Sequence, residues 1–92
     1  MGLFGLFQSN EEKLRSKIRT SFDECVERTV RENGDIIKEP MFGGMMIQAA
    51  IGSLYQSLKD EPTLSLLADK LGVNYSKILE EECQRALNKY LE

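Results

Sequence analysis

The residues that carry most enzyme chemistry are scarce in this 92-residue chain. It contains no histidine, which removes the commonest general base and the commonest metal ligand. Cys25 and Cys83 lack metal-ligand spacing, and each falls in an apolar helical stripe, where a buried structural cysteine is expected. Three consecutive acids, Glu80, Glu81 and Glu82, point in different directions on a helix and cannot converge on a cation by themselves. The sequence therefore predicts a protein without enzymatic activity, cofactor or metal site.

The charge balance gives no electrostatic reason to expect a polyanionic partner. The chain has 12 Lys and Arg against 15 Asp and Glu, a net charge of −3. Residues 60–92 contain four basic and seven acidic residues, so the excess of negative charge lies in the last third of the chain. Phosphates attract basic surfaces and repel acidic ones. We therefore expect nucleic acid not to be the partner, and any contact with an anionic membrane surface to be weak.

Residues 1–10 are predicted to form an apolar arm in front of a single helical domain at residues 11–92. The arm contains four large apolar side chains, Leu3, Phe4, Leu6 and Phe7. It lacks the positive start and long apolar run of a secretory signal, so we expect a cytoplasmic protein. One interpretation is a membrane tip assisted by the basic residues just downstream. We favour an arm that packs against the domain and is dispensable for folding, because stable membrane anchoring generally takes two signals.

Hydrophobic periodicity predicts an all-α fold, a small domain of four helices. The helices should cover about residues 11–33, 41–59 and 62–71, and a fourth stretch from Asn74 or Ser76 to the end. Ser9 and Glu12 form a capping box for the long first helix, and Gly34 and Gly72 are typical helix stops. Apolar residues at helical spacing are the predicted core: Leu14, Ile18, Phe22, Cys25, Val26 and Val30; Ile47, Ile51, Leu54 and Leu58; Leu64, Leu67, Ala68 and Leu71; and Tyr75, Ile78, Leu79, Cys83, Ala86, Leu87, Tyr90 and Leu91. We also expect Ile36 and Ile37 to enter the core from the first connection.

The second helix is unusual because residues 40–58 contain no charged side chain. Its polar residues argue against a transmembrane span, so we predict a helix enveloped by protein. Beside its core stripe it has a second face of small residues and amides: Gly44, Gln48, Ala49, Gly52, Ser53 and Gln56. Small residues let helices approach closely, and amides can bond across the contact. We predict that this face binds a second copy of the chain, or else a partner helix, while Met41, Met45 and Met46 serve mainly as core filler.

The stretch from Leu67 to Ile78, LADKLGVNYSKI, has a small residue followed by a glycine turn and apolar positions that lock a second helix. It resembles the helix-turn-helix element of bacterial DNA-binding proteins, and Leu67 to Leu91 resembles the two helices of ribbon-helix-helix proteins. The resemblance implies a DNA-contacting surface at Lys70, Asn74, Ser76 and Lys77. The glutamates at 80–82 would repel phosphates there, and residues 50–57 contain no basic side chain to act as a base-reading strand.

These patterns rank three functions. The first is a non-enzymatic interaction module that acts through homodimerisation or by binding a partner helix or peptide. The alternative is a small helix-turn-helix-like DNA-binding regulator. The third is a membrane-peripheral adaptor that uses the apolar arm. The sequence names neither the partner nor the pathway.

Overall fold

A computed structural model describes residues 10–91 and shows an all-α domain. The four helices are α1 (Asn10–Asn33), α2 (Pro40–Lys59), α3 (Pro62–Leu71) and α4 (Tyr75–Leu91), and a 3₁₀ helix (Gly34–Lys38) joins the first two. Helices α1, α2 and α4 pack against one another, while α3 makes sparser contacts, mainly with α4 and α1. The predicted fold class and helix order are confirmed.

The connection between α1 and α2 is tighter than the sequence predicts. Gly34 has a positive φ of 44° and leads directly into the 3₁₀ helix, where an irregular segment was expected. Pro40 starts α2 because its fixed φ suits the first helical turn, so the following glycines do not delay the helix. Gly43 is required for packing, since a Cβ there would lie 2.0 Å from the carbonyl oxygen of Ile37. Ile37 is half-buried, but Ile36 is exposed, and the prediction that it enters the core is wrong.

The core consists of one stripe from each helix, with α1 and α4 contributing most of it. Leu14, Ile18, Phe22 and Val26 of α1 are buried, so α1 is an exposed helix with one buried edge, as expected. Helix α2 buries only Gly43 and Ile51, while the rest of its predicted stripe is half-buried. The expected envelopment of α2 is therefore not found within the described chain, because its neighbours cover one side of it. The buried hydrophobic residues are Leu14, Ile18, Phe22, Val26, Ile51, Ala68, Tyr75, Ile78, Leu79 and Ala86.

Local signals define α3 and the start of α4. The Glu61 side chain accepts a hydrogen bond from the Thr63 amide, which caps α3. Gly72 ends α3 in the left-handed conformation with φ 71°, as predicted. The Asn74 side chain accepts a hydrogen bond from the Lys77 amide and so serves as the cap of α4.

Three predicted core residues are instead exposed. They lie at the edges of their stripes, where the neighbouring helices no longer reach them: Val30, Leu67 and Leu91.

Candidate functional site

The side of α2 that faces away from the core is exposed, uncharged and continuous. With 3.6 residues per turn, its residues occupy about 140° of the helix surface. We call this surface the α2 exposed face; it consists of Met41, Phe42, Met45, Gln48, Ala49, Gly52, Ser53 and Gln56, each of which is exposed. The core residues Gly43, Ile51 and Leu54 lie on the opposite side. The helix therefore presents one side to the domain and the other to solvent.

Five of the six residues predicted for the interface lie on the α2 exposed face, and the sixth, Gly44, is half-buried at its edge. A Cβ added at Gly44 or Gly52 would meet no heavy atom within 4 Å, so open space lies above both glycines. Nothing in the described chain fills this space. The small side chains make the middle of the face shallow, which would allow another helix to approach closely.

The sequence prediction missed the apolar end of this face. Met41, Phe42 and Met45 are 71%, 56% and 59% exposed, which corrects the expectation that Met41 and Met45 fill the core. Met46 is half-buried. The signal was present, because steps of 100° per residue place Met41 and Met45 above Gln48 and Gly52 on one side of a helix. The face thus joins a wide apolar end to a shallow amide-and-glycine end.

A buried ion-pair cluster joins α1 to α4. Glu82 is only 2% exposed, so its predicted position on an exposed acidic surface is wrong. Its carboxylate accepts hydrogen bonds from Arg15 Nη1 at 3.0 Å, Arg19 Nε at 2.8 Å and Arg85 Nε at 2.8 Å. Burial by itself would raise the pKa of Glu82, but these three guanidinium groups outweigh it and lower the pKa to about 2. Glu82 is therefore ionised and neutralised inside the fold.

Asp23 extends this cluster along the same seam. It accepts hydrogen bonds from Arg85 Nη2 at 3.2 Å and from the Tyr90 hydroxyl at 2.9 Å, and Lys89 Nζ lies 3.6 Å away. Burial opposes ionisation of Asp23, but the hydroxyl and the two cations lower its pKa overall. Among the described residues, no buried side-chain nitrogen or oxygen lacks a hydrogen-bond partner. The cluster is thus internally satisfied and offers no free group to a ligand.

The residues proposed for DNA contact lie at the turn between α3 and α4. Lys70, Asn74, Ser76 and Lys77 are all exposed. The Asn74 amide oxygen is engaged in capping α4, and Glu80 and Glu81 are exposed on the helix that would face DNA. The helix-turn-helix shape is present, but its surface combines two lysines with several carboxylates.

The remaining candidates contribute little. Cys25 is half-buried and its thiol donates to the Ala50 carbonyl at 3.6 Å, while burial raises the pKa of the half-buried Cys83 thiol. Within residues 10–91, no three side chains of the metal-binding types converge. In the same part of the chain, no helix combines the length and apolarity needed to cross a bilayer. The proposed membrane tip, Leu3, Phe4, Leu6 and Phe7, lies outside the described residues.

No protein-family model, curated protein or solved structure gives a significant match to this chain. The candidate site is therefore defined by the geometry of the chain itself.

Proposed function

We propose that this domain is a non-enzymatic interaction module that forms a homodimer through the α2 exposed face. The observation that carries the proposal is the eight-residue run of exposed, uncharged side chains on one side of a helix. Elsewhere the surface is rich in charge, with 29% charged residues in the chain as a whole. A helix face that is left without charge in such a protein is typical of a surface covered by another protein.

A second copy of the chain is the occupant that this chemistry favours. Across a two-fold axis each face meets its own copy, so a face with like charges would repel itself. The α2 exposed face has no charge and is therefore self-compatible. The amides of Gln48 and Gln56 can donate and accept, so each can pair with an identical group.

The exposed area is large enough to support a dimer. At about 200 Å² for a large side chain, the exposed fractions of Met41, Phe42 and Met45 amount to roughly 370 Å² of apolar surface. A standard interface buries about 800 Å² on each partner, so three side chains would supply nearly half of it. The glycines and amides that follow would supply the close approach and the directional bonds.

Multi-angle light scattering after size exclusion tests the proposal directly. The wild-type chain should have the mass of a dimer. Gly52→Lys should give a folded monomer, because two like charges would meet at the centre of the interface, while a Cβ at this position meets nothing within the chain. Ser16→Lys, an identical charge change on the exposed side of α1, should leave the dimer intact. A monomeric wild-type chain at high concentration, or a Gly52→Lys variant that stays dimeric, would contradict the proposal.

A further inference from the structure

A second unfilled surface lies on the other side of the domain, in the groove between α1 and α3. One opening of about 300 Å³ is lined by Asn10, Lys13, Leu14, Lys17, Leu67 and Leu71. A neighbouring opening of about 240 Å³ shares Lys17 and is lined further by Ile18, Ser21, Leu58 and Leu64. The two form one trough, with leucine and isoleucine at its base. We call it the α1–α3 groove.

The groove exists because α3 is short and packs sparsely. Leu14 is buried at the base, whereas Leu67 on the α3 side is 41% exposed, although the sequence pattern assigns it to the core. Apolar side chains that line a concave surface are favourable binding positions for other apolar groups. The groove is therefore suited to a short apolar segment.

We propose that the groove receives the N-terminal arm of the same chain, through Phe4, Phe7 and their neighbouring leucines. The attachment point supports this occupant, because Asn10, which lines the groove, is the residue at which the arm joins α1. Nine residues span at most about 30 Å when extended, which is more than enough to fold back over the first two turns of α1. No peptide or lipid from solution is attached so close to this groove.

The charges around the groove favour the arm over an anionic membrane. Lys13 and Lys17 lie at the rim, but exposed Glu11 and Glu12 occupy the same first turns of α1. The rim is therefore of mixed charge and has no strong attraction for acidic lipid headgroups. Residues 1–9 contain no charged side chain, so they can enter without burying an unpaired charge.

Tryptophan fluorescence tests this inference, because the chain contains no native tryptophan. Phe4→Trp and Phe7→Trp each give a single reporter in the arm. At least one should show blue-shifted emission and several-fold weaker acrylamide quenching than the same variant in urea. The signal should not change on dilution or in the Gly52→Lys background, which distinguishes this contact from the proposed dimer.

A second substitution ties the signal to the groove. Leu67→Ser should shift the emission to the red, whereas Leu66→Ser, at a neighbouring residue that is 61% exposed and lies outside the groove, should not. Circular dichroism would verify that both variants stay helical. Solvent-exposed emission from both reporters would overturn the proposal. So would emission that shifts only when vesicles of phosphatidylcholine and phosphatidylglycerol are added, since that result would assign the arm to membranes.

Discussion

Replacing Glu82 by glutamine removes the charge at the centre of the α1–α4 seam while keeping the size of the side chain. The wild-type carboxylate is buried and accepts hydrogen bonds from three arginines, Arg15, Arg19 and Arg85. Glutamine has one acceptor oxygen in place of two, and its NH₂ group would face guanidinium donors. The three arginines are partly exposed and can regain water, which limits the loss.

The pKa of Glu82 sets the magnitude. Its folded-state value of about 2 lies below the ordinary value of 4.5, a difference that corresponds to about 3 kcal/mol of folding free energy. A lowered folded-state pKa stabilises the fold above the unfolded-state pKa, and this contribution is lost as the pH falls from about 4.5 toward 2. About 2 kcal/mol of it should already be lost at pH 3. Asp23, whose pKa is also lowered, adds to the loss at acid pH in the same direction.

Urea unfolding followed by circular dichroism at pH 7, 5 and 3 measures these quantities. Glu82→Gln should lower the free energy of unfolding by about 3 kcal/mol at pH 7, and the difference from wild type should shrink by about 2 kcal/mol at pH 3. Glu80→Gln, two residues away and exposed, should behave like wild type at each pH. The reasoning is refuted if Glu82→Gln and wild type are equally stable at pH 7, or if their difference does not change with pH.

Two further substitutions test local packing by the same urea assay. Gly43→Ala should lower the free energy of unfolding by more than about 2 kcal/mol, because its Cβ would collide with the Ile37 carbonyl, whereas Gly44→Ala should not destabilise the monomer; equal effects at both positions would contradict the close contact. Asn74→Ala should cost about 1 kcal/mol through loss of the α4 cap, while Ser76→Ala should cost nothing measurable, and the reverse order would move the cap to Ser76.

The helix order and most of the core follow from the sequence because their signals are local. Pro62 and Gly72 bracket α3 at the residues predicted, since one has a backbone suited to a helix start and the other to a left-handed stop. Periodicity also identifies the buried edge of α1. It does not specify where a stripe ends, because that depends on how far the neighbouring helices extend, and so Val30, Leu67 and Leu91 are exposed.

The ion-pair cluster could not be predicted in the same way. Which of three consecutive glutamates turns inward depends on the rotation of α4 against α1, and the bond from Arg15 to Glu82 joins residues 67 positions apart. The arginines did carry a partial signal, because Arg15 and Arg19 are four residues apart and border the apolar stripe of α1. The exposed methionines of α2 were misassigned because apolar character alone does not distinguish a core from an interface.

The two sides of the domain use different chemistry to achieve specificity. The α1–α4 seam fixes its register with charged groups, and Glu82 accepts donors from both helices, so a slide of one helix would leave a buried carboxylate unpaired. The α2 exposed face has no charge available for this purpose. A contact made there must select its partner by shape, through the open space above Gly52, and by the directional bonds of Gln48 and Gln56. A self-complementary helix face meets these requirements without any second protein, which is why a copy of the chain is the simplest partner for it.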